Sequence, residues 1–168
     1  MAYSNPGYAV AGYLVEKITG EPYEDFIARR TFAPMGMTTS SFRLTREHEA
    51  QLAKGYRDRT GPPVPYSQIY LRPAGNLHTS PVELGRFVHA MLNWGETADQ
   101  LEIDPEYLSN MEHPRSSLAS EAGLRSGYGS GIAASTTEGF PMLGHSGDID
   151  GFLSSYAYSS ARDLGYVV

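Results

Sequence analysis

Two short stretches near opposite ends of the chain carry side chains that can pass or orient protons: Tyr3-Ser4-Asn5 and His145-Ser146-Gly147-Asp148. Nucleophilic catalysis is one chemistry that such residue types could serve. A serine hydroxyl must be made nucleophilic by a nearby base, and donors must meet the oxyanion that develops. A phenol of ordinary pKa, about 10, is a poor base at neutral pH and depends on positive charge beside it. Each residue also has a plain reading. Tyr3, taken alone, is a terminal surface residue of the kind that frays. His145 alone is a strand histidine satisfied by hydrogen bonds, and Asn5-Pro6-Gly7 is turn chemistry ahead of a helix. Residue type leaves both readings open.

Other constellations fail on inspection. Gly144-His145-Ser146-Gly147-Asp148 falls one glycine short of the G-x-S-x-G elbow, and no helix follows it. Asp148 and Asp150 before Gly151 resemble the start of a calcium loop, but the twelfth position is Ser159 rather than Glu. Gly127, Gly129 and Gly131 do not complete a G-x-G-x-x-G phosphate cradle, because position 132 is Ile. The 5 histidines show no i, i+4 pairing, so no metal and no cofactor is expected. Glu47-His48-Glu49 reads as a solvated turn.

Composition narrows the partners. A chain of 168 residues with 40% hydrophobic residues is one ordinary domain with a real core. The net charge of −6, with Arg29-Arg30 the only basic pair, argues against a nucleic-acid partner. There is no Cys, which excludes disulfides and thiolate chemistry. No apolar run approaches the roughly 20 residues of a membrane span, and the first residues have no signal-peptide pattern. The cellular compartment stays open.

The elements that must position these residues are legible in part. After Pro6-Gly7, the spacing of Val10, Ala11, Leu14, Val15 and Ile18 predicts a helix with one apolar face, ended by Gly20. Pro22 opens a second helix with Tyr23, Phe26 and Ile27, closed before Pro34-Met35-Gly36. Ser80, Pro81 and Glu83 form an S-x-x-E capping box ahead of Leu84, Phe87, Val88, Met91 and Leu92, with Gly95 as the stop. Asp104-Pro105-Glu106 starts a fourth helix that ends near His113-Pro114. Residues 38 to 79 read as a long connection of little periodicity, punctuated at Gly61-Pro62-Pro63 and Arg72-Pro73-Ala74-Gly75. After residue 126 come strands: Tyr128 to Ser135, Phe140 to Ser146, Phe152 to Ser159 and Tyr166 onward, an antiparallel meander. Helices first and strands last make the class α+β.

With these residues in place, a family resemblance can be stated. Tyr3-Ser4-Asn5-Pro6-Gly7-Tyr8 and Gly12-Tyr13-Leu14-Val15-Glu16 are similar to the Tyr-x-Asn region of the serine β-lactamase-like family. That family includes class C β-lactamases, D-alanyl-D-alanine carboxypeptidases, D-aminopeptidases and related esterases. Pro34-Met35-Gly36-Met37, then Pro73-Ala74-Gly75 with Leu77 and Thr79-Ser80, then Gly144-His145-Ser146-Gly147 with Gly151-Phe152, resemble its later blocks in the right order. The resemblance implies a β-lactamase-like (penicillin-binding transpeptidase-like) fold fragment, one partial domain over 1–168, mainly helical over 1–125 and stranded over 126–168. It implies Tyr3 as the proton-transfer residue, Asn5 as the orienting amide, and His145 with Gly147 as the strand wall, flanked by Ser146 and Asp148 in substrate binding. Asp148 and Asn76 stand where the family commonly has Gly.

The family's nucleophile is the Ser of S-x-x-K, and no such motif exists here. The only lysines are Lys17 and Lys54, and three residues before them stand Leu14 and Gln51. In the family this motif lies upstream of Tyr-x-Asn. The expectation is therefore a part of a serine hydrolase acting on an ester, amide or β-lactam through an acyl-enzyme, the chain alone being inactive. The alternative is a non-catalytic module that binds a ligand or partner. An exposed sheet edge is expected to promote self-association.

Overall fold

In the computed structural model, residues 3–93, 103–115, 117–137 and 139–168 are described. Helix α1 spans Asn5–Thr19. Ser4 caps it, its hydroxyl accepting from the Gly7 amide at 3.1 Å. Gly20 closes it at φ 74°, the left-handed conformation that glycine adopts without cost. Helix α2, Tyr23–Ile27, runs on into a π-helical turn over Ala28–Phe32.

The apolar face predicted for α1 does not point into the core. Val10, Leu14 and Ile18 are 58%, 51% and 82% exposed. The helix packs instead through Gly12, its buried residue, where a methyl group would overlap the Pro73 ring. Periodicity locates a stripe, but the glycine decides which side the chain approaches.

The connection from 38 to 79 is more structured than its sequence pattern suggests. It holds two short helices, α3 over Arg46–Gln51 and α4 over Arg72–Gly75. The supposed solvated turn at Glu47-His48-Glu49 is the first turn of α3. Thr45 and His48 cap it reciprocally, His48 standing where Glu or Gln is usual. The connection is tied to α2 through buried Glu24, whose carboxylate lies 2.7 Å from Arg72 Nε and 3.5 Å from Arg43 Nη2. Asn76, buried, binds it internally: Oδ1 accepts from the Ile69 amide at 3.1 Å and Nδ2 donates to the Phe42 carbonyl at 2.9 Å. That gives a reason for Asn where the family commonly has Gly.

Helix α5, Pro81–Leu92, begins at Ser80 as predicted, and the Glu83 amide donates to the Ser80 hydroxyl at 3.2 Å. Only half of the capping box forms. The Glu83 carboxylate turns away to accept from the Thr39 amide at 2.9 Å and the Ser40 hydroxyl at 2.5 Å. The helix ends at Leu92, and the predicted stop Gly95 lies outside the described residues. Helix α6, Pro105–Glu112, is capped by Asp104 as expected, and α7, Leu118–Glu121, was not foreseen.

Five strands follow: β1 Gly127–Tyr128, β2 Ala133–Thr137, β3 Phe140–Ile149, β4 Phe152–Ser159 and β5 Leu164–Val167. They form one antiparallel sheet in sequence order, the predicted meander. The first predicted strand is two, broken by the turn at residues 129–131. The core lies where α5 and α6 meet the sheet, with Met91, Leu108, Ile132 and Tyr158 fully buried. Each such side chain contributes roughly 1.5–3 kcal/mol by leaving water. Phe87 of α5 meets Tyr156 of β4 edge-on at 5.3 Å. No helix among the described residues is long and apolar enough to cross a membrane.

Candidate active site

Tyr3 precedes α1 by one capping residue, and His145 sits in the middle of β3. The fold brings them together across 142 residues, with the Tyr3 hydroxyl 3.4 Å from His145 Nε2. The other ring nitrogen, Nδ1, lies 2.6 Å from the Ser146 carbonyl. A carbonyl can only accept, so Nδ1 carries the proton in the neutral ring. Nε2 is then the acceptor, and Tyr3 donates to it. The pair joins a helix start to a strand.

Residues along β3 alternate between the two faces of the sheet. The register His145↔Tyr156, Ser146↔Ser155, Gly147↔Ser154 and Asp148↔Leu153 has no bulge. Gly147 therefore shares the face of His145, and Ser146 and Asp148 share the other. Asn5 is exposed on the first turn of α1, and its side-chain amide has no hydrogen-bond partner among the described residues.

The end of β3 is walled by the long connection. Arg57 grips Asp150 with two hydrogen bonds, Nε to Oδ1 at 2.7 Å and Nη2 to Oδ2 at 2.6 Å. The Tyr56 amide donates to the Gly151 carbonyl at 3.0 Å. The Arg57 hydrogen bonds hold the Asp150 carboxyl below its ordinary pKa. The carboxylate that suggested a calcium loop is thus taken by a guanidinium.

Aromatic residues that sequence patterning did not single out complete the site. Tyr128 of β1 packs edge-on against Tyr3, with centroids 5.7 Å apart, and against His145 at 5.8 Å. Tyr156, paired with His145 in the sheet, has its phenol pushed up to about 12 by burial and then by neighbouring Tyr8. With 12 tyrosines in the chain, nothing local marked these two. The closest signal was the glycine spacing around Tyr128. Elsewhere, a shallow cavity of about 340 Å³ between α5 and β5 is lined by none of these residues.

Lys17 does not serve the site as an activating charge. Lys17 lies over the Tyr13 ring at 5.0 Å, at the far end of α1. At about 1.5 Å of rise per residue it is on the order of 20 Å along the helix from Tyr3.

Fold and site together define an α+β protein whose candidate chemistry lies where a helix start meets an antiparallel sheet. The sequence matches the Beta-lactamase family model over residues 1–168, and the chain belongs to that family. It is 26% identical over 171 residues to Protein flp of Staphylococcus aureus (strain N315), a match covering 99% of this chain and 32% of that protein. The octameric penicillin-binding protein homologue from Pyrococcus abyssi superposes with TM-score 0.77 at 27% identity, over 98% of this chain and 37% of its own. A class C beta-lactamase from Rhodobacter sphaeroides shares the fold, with TM-score 0.78 at 16% identity, over 99% of this chain and 54% of its own. The matched segments span a quarter to a third of the length of these curated relatives, and nearly the whole of this chain spans about a third of Protein flp.

Proposed function

We propose that this chain is the part of a serine hydrolase that carries the proton-transfer tyrosine and the strand wall, acting on a small ester, amide or β-lactam through a serine acyl-enzyme. The observation that carries this reading is the Tyr3 hydroxyl 3.4 Å from His145 Nε2 at the junction of α1 and β3. In this role Tyr3 relays the proton between nucleophile and leaving group, and Asn5, free of partners among the described residues, is available to orient a lysine or the substrate. Gly147 adds no side chain to the face of His145, and Ser146 and Asp148, whose side chains lie on the other face, would meet a substrate there only through their backbone. The nucleophile and its lysine would come from chain beyond these 168 residues, since no S-x-x-K occurs here.

A second reading draws on that same absence: a non-catalytic module that keeps the groove and binds a ligand or partner. Self-association through the edge strand β5 fits either reading, because its outer backbone groups lack a strand partner among the described residues. The Pyrococcus abyssi homologue is octameric.

Labelling by a fluorophosphonate or penicillin probe tests the proposal. The 168-residue chain should take up none, and stoichiometric labelling would overturn the expected inactivity. An S-x-x-K in frame upstream of Met1, with labelling of the longer product at that serine, is the result expected of the hydrolase. A true start codon at Met1 would favour the binding module.

A further inference from the structure

We infer that Gly127-Tyr128-Gly129-Ser130-Gly131 is a rigid mount for Tyr128, a positioning residue that holds the ring of Tyr3 against the imidazole of His145. The inference rests on the reading of Tyr3 and His145 as the site. It gives a use to a glycine pattern that makes no phosphate cradle.

The need for such a residue follows from where Tyr3 lies. It stands outside the hydrogen-bonded body of α1 and is half exposed, so backbone structure alone does not fix its ring. Its 3.4 Å contact with Nε2 is long for a hydrogen bond, and a small rotation would lose it. The Tyr128 ring meets Tyr3 at 89° and His145 at 79°, edge-on to both. Edge-to-face packing is a preferred aromatic geometry, and two such contacts on one ring leave little room for Tyr3 to turn.

The backbone of the mount is fastened on both sides. The Tyr128 carbonyl accepts from the Arg115 amide at 3.1 Å. The Gly129 amide donates to the Ile132 carbonyl at 2.8 Å, and the Ser130 amide to the Met111 carbonyl at 3.1 Å. Each glycine has its own reason. Gly127 and Gly131 take φ of 141° and 97°, where side chains are strained. A methyl on Gly129 would overlap the Met111 carbonyl at the end of α6. The Tyr128 hydroxyl is hydrogen-bonded to Tyr8 on α1, which ties the ring to the helix that carries Tyr3. Burial first, and then Tyr8, push its phenol well above the ordinary value, so Tyr128 stays protonated and acts by shape rather than as a base.

The test is NMR of the 168-residue chain with labelled Tyr and His. In the unmodified chain, nuclear Overhauser contacts are expected from the Tyr128 ring to both the Tyr3 and His145 rings. In Tyr128→Leu, the Tyr3 and His145 ring signals should move toward their random-coil positions while the amides of α5 and β4 stay in place. Tyr128→Phe should restore them. Unmoved signals in a folded Tyr128→Leu variant overturn the inference, as does a Tyr128→Phe variant that shifts as far as Leu. If the Leu variant fails to fold, missing Overhauser contacts in the unmodified chain decide against it. A longer product that never acylates would end the catalytic reading and leave these ring contacts intact. Lost ring contacts in an acylating protein would end this one alone.

Discussion

The carboxylate of Glu83, on the first turn of α5, accepts a 2.5 Å hydrogen bond from the hydroxyl of Ser40, 43 residues earlier in the chain. A residue placed by sequence to cap its own helix instead fastens the preceding connection to that helix. Glu83→Leu would take the acceptor from the Thr39 amide and one of the two partners of the Ser40 hydroxyl, which keeps Thr79 Oγ1 at 2.7 Å. A hydrogen bond to a charged group is worth about 1.5–3 kcal/mol, so thermal unfolding should shift down by several degrees. A melting temperature unchanged by this substitution would show the contact to be idle.

The same carboxyl sets an acid limit. Burial would raise its pKa, but the Ser40 hydroxyl and the Thr39 amide outweigh burial and hold it below the ordinary 4.5. A depressed folded value means that Glu83 contributes stability above the unfolded pKa and loses it as pH falls through the folded one. Urea midpoints measured between pH 7 and pH 3 should therefore fall most steeply below about 4.5. Glu83→Gln should flatten that fall, and equal slopes in the two proteins would contradict it.

Gly12→Ala should destabilise the protein by about 1–3 kcal/mol, because the added methyl overlaps the Pro73 ring and forces α1 off α4. Leu14→Gln, on the exposed stripe of the same helix, should change stability by no more than about 0.5 kcal/mol. Urea unfolding of the two variants side by side checks the pair. The reverse order would mean that α1 packs by the stripe that its periodicity advertises.

Asp150→Asn removes the carboxylate that Arg57 grips at the β3–β4 turn. Both groups are exposed, so the expected effect is local rather than global. The amide of Tyr56 should exchange faster with solvent while the melting temperature holds, and high salt should do the same to the unmodified chain. Unaltered exchange at Tyr56 would mean that its bond to the Gly151 carbonyl holds the segment without the ion pair.

Neutral His145 should carry its proton on Nδ1, since the Ser146 carbonyl can take nothing else. Long-range proton–nitrogen correlation spectra distinguish the two ring nitrogens directly. A protonated Nε2 in the neutral ring would reverse the donor and acceptor assigned to Tyr3 and His145.

What the sequence made legible was what is local. Ser80 and Asp104 announced α5 and α6 because a cap and its helix lie within four residues of one another. The strands of β3 and β4 were legible because a Gly-containing turn separates two runs of strand formers. Helices α3, α4 and α7 were missed because four to six residues show no period. Pro73 of α4 is held by Gly12 of α1, while α3 and α7 are capped by Thr45 with His48 and by Ser117 with Ser120, pairs that lack the usual Glu or Gln. The stripe on α1 was visible, but which face packs depends on a partner elsewhere in the chain. Tyr3 and His145 were paired only by resemblance to a family, since nothing in either neighbourhood points across 142 residues. Tyr128 was hidden altogether, because its role consists of ring contacts to both.

The sheet order has a consequence for how the molecule assembles. Each of its pairings joins strands adjacent in sequence, so each closes a short loop at small entropic cost. The Tyr3–His145 contact is of the opposite kind and closes nearly the whole chain. We expect the meander to form early and the junction to form last. Pulsed hydrogen exchange during refolding should then protect the amides of β3 and β4 before those of α1, and the opposite order would count against this sequence of events. A chain that assembles this way has a folded sheet before it has a site.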